Sequence, residues 1–223
     1  MLVSAHIAAV SDTLRDVNNV TWTKPNHVAF LNDAIRALVL VRPDASSVTA
    51  DMTLAPGTRQ ELAAGELRLI RVVRNMGTDG STPGKAVRLG SMDSLDAFNP
   101  DWHTATAATA IREYMYDEAR PDEFWVSPPV HATIAVHVQV MKSVLPAEVT
   151  GYGGSDVMPV DDIYAPALRE WCTYLAFSRD SEKTPNWQRA ARHFAAFFNT
   201  LQIKMQADMA INPKVRAMAE KAQ

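Results

Sequence analysis

The feature that most constrains this chain is a change of periodicity along it, with helical spacing at both ends and glycine-punctuated, strand-like sequence between them. Six of the nine glycines lie between positions 57 and 90. Helices at the two ends of a chain are not stable alone, so the economical arrangement packs them together. The sequence therefore predicts an α+β protein in which N- and C-terminal helices form a bundle and an antiparallel β subdomain is inserted. The expected boundaries are 1–45 with 158–210 for the bundle, 46–157 for the insertion and 211–223 for a C-terminal tail.

Two helices are expected before the insertion. The first is indicated by apolar residues at helical spacing, namely Ile7, Val10, Leu14 and Val17. The second begins near Thr23-Lys24-Pro25, because proline is tolerated in a first helical turn. It ends at Arg42-Pro43, because the residue before a proline is disfavoured in the α region.

Several strands are expected in the insertion. Segment 67–74 is predicted as a strand, Thr78-Asp79-Gly80 as a turn and 85–89 as the return strand. Segments 111–117 and 123–127 form a second expected pair. The clearest alternation runs over 131–142 and predicts a strand with one apolar and one polar face.

Two further helices are expected after the insertion. Asp161 caps the first, and Thr184-Pro185 begins the second. The second has a wide apolar face made of Trp187, Ala190, Phe194, Phe197, Phe198, Leu201 and Met205. Most of that face is expected to be core, and part of it is expected to lie under a neighbouring subunit.

The composition is that of a globular protein with a real core, at 47% hydrophobic and 21% charged residues. The net charge is -3 and no cluster of Lys and Arg stands out, which argues against sequence-specific nucleic-acid binding. The single cysteine, Cys172, excludes an internal disulfide and fits a reducing compartment. No signal peptide or membrane span is indicated, so a protein assembled in the cytoplasm without membrane contact is expected.

No motif indicates catalysis, a cofactor or a metal. The stretch from Gly80 to Lys85 is similar to a phosphate loop, but Asp79 replaces its first glycine and Ala86 its Ser/Thr. His131 and His137, on one predicted strand, would lie about 20 Å apart and could not share a metal ion. Asp161-Asp162 is interpreted as a helix cap, and Cys172 as a buried structural thiol. The protein is therefore expected not to be an enzyme.

Four stretches in order along the chain resemble the head-to-tail adaptor (connector) proteins of tailed bacteriophages. They are FLNDAIR at 30–36 with LVRPDA at 40–45, VRNMGTDG at 73–80, PDWH at 100–103, and DIYAPAL at 162–168 followed by 174–182. Together they span nearly the full length. None is a catalytic signature, so the resemblance depends on their sequence and spacing.

The resemblance implies a structural virion protein at the head-tail junction. Such proteins form a ring, commonly a dodecamer, that docks under the portal protein, meets tail or nozzle proteins and lets DNA pass through its lumen. The helices would form the ring wall and the insertion would face the tail. Subunit or portal contacts are accordingly expected at Phe194, Phe197, Phe198, Met205, Arg216 and Met218, and tail-facing positions at Asp79, Trp102 and Trp125.

Two other classes of function remain open at this point. One is a minor virion or scaffold protein outside the adaptor family with the same combination of helices and sheet. The other is an enzyme whose site is assembled from scattered residues, for which His131, His137 and Asp79 are the best candidates.

Overall fold

A computed structural model describes residues 1–180 and 184–211. Its helices are α1 (Val3–Thr13), α2 (Lys24–Val41), α3 (Met92–Phe98), α4 (Ala165–Arg179) and α5 (Thr184–Ile211). Its strands are β1 (Ser47–Thr53), β2 (Gly57–Glu61), β3 (Glu66–Met76), β4 (Pro83–Ala86), β5 (Arg88–Leu89), β6 (Glu113–Tyr116), β7 (Glu123–Val130) and β8 (His137–Val144). The predicted α+β class with terminal helices is confirmed. None of the described helices is long and apolar enough to cross a membrane.

The chain divides into two units. The helical unit combines Met1–Leu38 with the chain from Pro146 onward, and the β unit comprises Val39–Leu145. The functional boundaries expected after positions 45, 157 and 210 stay a prediction, because compactness alone does not assign roles to the parts.

In the helical unit, α1 is shorter than its apolar spacing predicted. It ends at Thr13, and Arg15 adopts a left-handed conformation with φ of 56°. The Asp16 N–H then donates to the Ser11 carbonyl over 2.9 Å, which closes the helix end. Val17 lies beyond this cap and is exposed, so the prediction that it belongs to the first helical face is wrong.

The connection after α1 is held by one carboxylate. Asp16 accepts hydrogen bonds from the backbone N–H groups of Val20, Thr21 and Trp22 at 2.8 to 3.0 Å. These bonds, first of all the one from Trp22, lower the pKa of Asp16. The Asp16 carboxylate thereby holds the backbone of the loop that leads into α2.

The start of α4 agrees with the capping interpretation. The Asp161 carboxylate accepts from the Ile163 N–H over 3.0 Å at a short 3-10 turn, Asp162–Tyr164, that precedes the helix. The helix then buries one face made of Ala167, Leu168, Cys172, Thr173 and Ala176.

The β unit contains two four-stranded sheets. Their strand orders are β1-β8-β3-β4 and β2-β7-β6-β5. All neighbours are antiparallel except β5 and β6, which are parallel. The core includes apolar residues from both sheets, among them Val72, Val138 and Val140 from the first and Tyr114, Phe124 and Val126 from the second. The two sheets therefore bury one common interior.

The hairpin predictions are confirmed in part. Strand β3 lies where 67–74 was predicted, and β6 pairs with β7 as expected for 111–117 and 123–127. The single return strand predicted over 85–89 is wrong. Its first part, β4, pairs with β3, whereas β5 pairs with β6 in the other sheet. The chain changes sheets at Val87, whose side chain is buried.

The strand predicted over 131–142 is correct only in its second half. Strand β8 begins at His137, and Val138 and Val140 are fully buried as their alternation indicated. Residues 131–136 form no strand, because they carry the chain from β7 in the second sheet to β8 in the first. The alternation of apolar and polar residues in this segment cannot reveal that the chain passes from one sheet to the other.

Buried side-chain amides form hydrogen bonds with backbone groups that lie outside the regular strand pairing. Asn75, in β3, donates to the carbonyls of Lys85 and Ile111 and accepts from the Ile111 N–H, at 3.1, 2.8 and 2.9 Å. Gln60, in β2, pairs with both backbone groups of Ala55. Each amide acts as a short piece of strand, because it offers a donor and an acceptor side by side.

Candidate functional site

The groups that sequence reasoning examined for chemistry do not converge. Asp79 accepts hydrogen bonds from the backbone N–H and hydroxyl groups of Ser81 and Thr82 at 2.7 to 3.1 Å. These bonds, the one from the Ser81 hydroxyl first, hold the pKa of Asp79 well below its usual range. Gly80, with φ of 71°, completes the turn. The carboxylate therefore organises a tight turn in the place where a phosphate loop would need open N–H groups.

The two histidines discussed for metal binding do not share a strand, which corrects the prediction. His137 Nδ1 lies 2.9 Å from Thr53 Oγ1, on the neighbouring strand β1. His131 lies in the crossing segment, where its Nδ1 accepts from the Thr133 N–H over 3.2 Å. Within residues 1–180 and 184–211, no three His, Cys, Asp or Glu side chains are grouped to hold a metal ion.

Cys172 lies inside the helical unit, with its Sγ 3.8 Å from His6 Nε2. Burial raises the pKa of the thiol far above neutrality. The reactive thiolate is therefore not formed at physiological pH, which agrees with a structural role for this residue.

The buried His6 gives the helical unit an acid-sensitive stability. Burial, with smaller effects from Arg169 and His27, lowers the pKa of His6 to about 4, below the usual 6.5. Between these two pH values His6 is protonated in the unfolded chain and neutral in the folded chain. The free energy of unfolding therefore decreases as pH falls from 6.5 towards 4. We expect a loss on the order of 3 kcal/mol across that window. Urea unfolding at pH 7.5 and at pH 4.5 measures it.

The matched variants are His6→Leu and His103→Gln. The first keeps a neutral buried side chain and is expected to reduce the pH dependence, whereas the second changes an exposed histidine and should leave it as in the native chain. An equal pH dependence in all three proteins would contradict the assignment to His6.

The wide apolar face predicted for α5 separates into two stripes. One stripe is buried and includes Ala190, Phe197 and Leu201. The other is accessible and consists of Trp187, Phe194, Phe198 and Met205, with exposed fractions of 65%, 41%, 38% and 44%. Their spacing of seven, four and seven residues aligns them along one side of the helix. This accessible side is named the α5 stripe below.

An aromatic cluster supports the α5 stripe from below. The ring of Trp171, in α4, lies 4.7 Å from that of Phe197, and 5.8 and 6.4 Å from those of Phe194 and Phe198. Phe194 and Phe198 also contact each other edge-on at 4.9 Å. The accessible aromatic rings are thus held in fixed positions, which lowers the entropy lost when a partner covers them.

The predicted contact residues differ in how accessible their side chains are. Phe194, Phe198 and Met205 are accessible, whereas Phe197 is completely buried and its ring cannot be reached by another protein. Phe197 therefore contributes to the core of the helical unit, because it packs on Trp171. Arg216 and Met218 lie outside the described residues.

The predicted tail-facing residues also differ in accessibility. Trp102 is only 1% exposed, its ring stacks on His103, and its Nε1 donates to Asp96 over 2.8 Å. It supports the β unit from inside and cannot present its ring to a partner. Trp125 is half-buried in β7, and Asp79 is exposed at the turn between β3 and β4.

Sequence reasoning missed a cleft lined by cations in the helical unit. It encloses about 460 Å³ and is lined by Thr13, Leu14, Arg15, Phe177, Arg189, Arg192 and His193. These residues come from the end of α1, from α4 and from α5. The one local signal was the i, i+3 spacing of Arg189 and Arg192, which by itself indicates only a solvated helix face. We name it the arginine cleft.

These observations define the class first: an α+β protein that carries a line of accessible apolar side chains on α5 and, among its described residues, no group of side chains placed to hold a metal ion. The sequence model of the SU10 adaptor protein family matches residues 1–217 of this chain. The chain therefore belongs to that family of bacteriophage head-to-tail adaptors, as the four resembling stretches predicted. Comparison with curated proteins finds no match. Membership supports a structural role as a phage adaptor.

Proposed function

We propose that this chain forms a ring that joins the portal of a phage capsid to the tail and surrounds part of the DNA channel. The observation that supports the proposal most directly is the α5 stripe. Four large apolar side chains lie in line on a helix whose neighbouring side is already core. A soluble subunit gains by covering such a surface with a partner.

The chemistry of the stripe suits a protein-protein interface. Trp, Phe and Met are enriched at interfaces, and Trp is a frequent source of large binding energy. A ring needs contacts between two different surfaces of the same subunit, related by a rotation that closes. The α5 stripe supplies one such surface.

The same proposal assigns a partner to each remaining part of the chain. The helical unit forms the ring wall, commonly of twelve copies, and segment 211–223, which carries Arg216 and Met218, contacts the portal. The β unit meets tail or nozzle proteins through the turn at Asp79 and through Trp125. A net charge of -3 suits passive passage of DNA, because the chain as a whole is not attracted to phosphate. The assembled ring belongs to the virion.

The proposal is tested by the mass of the protein alone and with its portal protein, measured by light scattering and imaged by electron microscopy. We expect a closed ring in the presence of the portal. The double variant Trp187→Gln with Met205→Gln should weaken assembly on the order of tenfold or more, because it removes the most accessible apolar groups of the stripe.

Ile203→Gln is the control for that double variant. Ile203 is 67% exposed on a different side of the same helix, so its substitution should leave assembly unchanged. A native chain that stays monomeric with its portal would overturn the proposed ring. Equal losses in the double variant and the control would remove the α5 stripe from the interface.

A further inference from the structure

The arginine cleft carries positive charge that the described chain does not neutralise. Arg15, Arg189 and Arg192 are exposed and form no ion pair with any described carboxylate. Arg189 lies over the ring of Phe177 at 5.6 Å, and His193 alone contacts a carboxylate, that of Glu170 at 2.7 Å. Three guanidinium groups around one concavity are suited to binding oxyanions, because each offers a planar fork of donors.

The backbone of Arg15 points to the same function. Arg15 occupies the residue after the α1 cap with φ of 56°, a position that favours glycine and that costs energy for other residues. The nearby Asp16 carboxylate accepts from three backbone N–H groups and forms no ion pair with Arg15. Arg15 therefore lies, without an ion-pair partner among the described residues, where glycine would be the more stable choice.

The chain itself contains a complementary anionic segment. Residues 117–123, Asp-Glu-Ala-Arg-Pro-Asp-Glu, form the tip between β6 and β7 and hold four carboxylates and one arginine. Glu123 is paired with Arg59 and Arg120, and Asp117 accepts from the Ala119 N–H. Glu118 and Asp122 are exposed, and their carboxylates form no hydrogen bond or ion pair with the described residues, although Asp122 lies near enough to Arg59 to interact with its charge. We name this segment the acidic tip.

We propose that the acidic tip of one copy binds in the arginine cleft of the next copy, an inference that rests on the proposed ring. Opposite charges on two different surfaces of one chain generate a head-to-tail contact, which is the kind of contact that builds a ring. Asp12 and Asp16 flank Arg15 in sequence, and Glu170 contacts His193. These carboxylates disfavour a continuous polyanion such as nucleic acid, whereas the tip brings only the two unpaired carboxylates of Glu118 and Asp122.

Charge reversal tests the contact in the full-length chain, with assembly on the portal as the readout. Arg192→Glu and Glu118→Arg should each weaken assembly at least about tenfold, since each places like charges together. The chain that carries both substitutions should recover, because each copy then presents an arginine to the glutamate of its neighbour. Both positions are exposed, so the fold should persist, as thermal unfolding of the isolated variants checks.

Arg15→Gly separates a binding role from a structural one. Glycine suits the left-handed backbone, so the variant should melt at the same or a higher temperature than the native chain while assembling more weakly. A lower melting temperature with unchanged assembly would contradict the role given to Arg15.

The remaining outcomes identify which idea fails. Native assembly by both single variants, or no recovery in the double variant, would overturn this contact and leave the ring intact. Loss of binding to duplex DNA in Arg192→Glu, measured by fluorescence anisotropy, without loss of assembly would assign the cleft to nucleic acid instead. A native chain that forms no oligomer with its portal would overturn the ring and the contact together.

Discussion

Replacing Phe197 with aspartate is expected to unfold the helical unit. The Phe197 ring is fully buried and lies 4.7 Å from the ring of Trp171 and 5.1 Å from that of Phe198. Removing a buried phenylalanine side chain typically costs about 3–5 kcal/mol, and an unpaired carboxylate at the same place adds the cost of burying a charge. The total approaches the whole stability of an ordinary domain, about 5–15 kcal/mol.

Near-ultraviolet circular dichroism and urea unfolding measure this effect, because Trp171 reports on the packing around position 197. Ala195→Asp is the matched control, since it places the same charge two residues earlier on an exposed position of the same helix. The control should retain the native spectrum. A folded Phe197→Asp protein with an unchanged unfolding midpoint would show that this ring is not part of the core.

Replacing Asn75 with leucine is expected to destabilise the β unit strongly. The substitution keeps the side chain close in size but removes three hydrogen bonds to the backbone of Lys85 and Ile111. The carbonyl and the N–H group of Ile111 would then be buried without this partner, and the Lys85 carbonyl would lose a part-buried bond. At about 1–3 kcal/mol for each unsatisfied buried group, the expected loss is on the order of 4 kcal/mol.

The loss is measured by urea unfolding followed through tryptophan fluorescence, with Trp102 and Trp125 as reporters within the β unit. Asn99→Leu is the control, because Asn99 is exposed and its side chain forms no hydrogen bond with the described residues. A midpoint for Asn75→Leu equal to that of the control would mean that the bonds of Asn75 contribute little net stability.

The parts of the fold that the sequence predicts well are those set by local pattern. The start of α2 near Lys24 and its end just before Arg42 follow from the prolines beside them. Strand β3 and the pairing of β6 with β7 follow from β-prone runs separated by turn residues. Both kinds of signal act within a few residues of the element that they define.

The parts that it misses depend on contacts between distant segments. Segment 131–136 alternates like a strand, yet the two-sheet topology needs it as a crossing. Phe197 and Phe198 are adjacent and identical in type, and the packing of α5 on α4, where Phe197 lies closer to Trp171, buries the first and leaves the second accessible. The arginine cleft is likewise assembled from three helices, so no single window of sequence contains it.

The register of β1 against β8 has a consequence for how such a protein evolves. Ser47 is paired with Ser143, so the first and last strands of the β unit lie side by side and the chain enters and leaves it through neighbouring points. A unit closed in this way can be exchanged as one cassette, because only two adjacent joints have to be matched. Recombination between phages is thereby able to exchange the β unit of an adaptor, the part that we propose meets the tail, without rewriting the sequence that builds its helices.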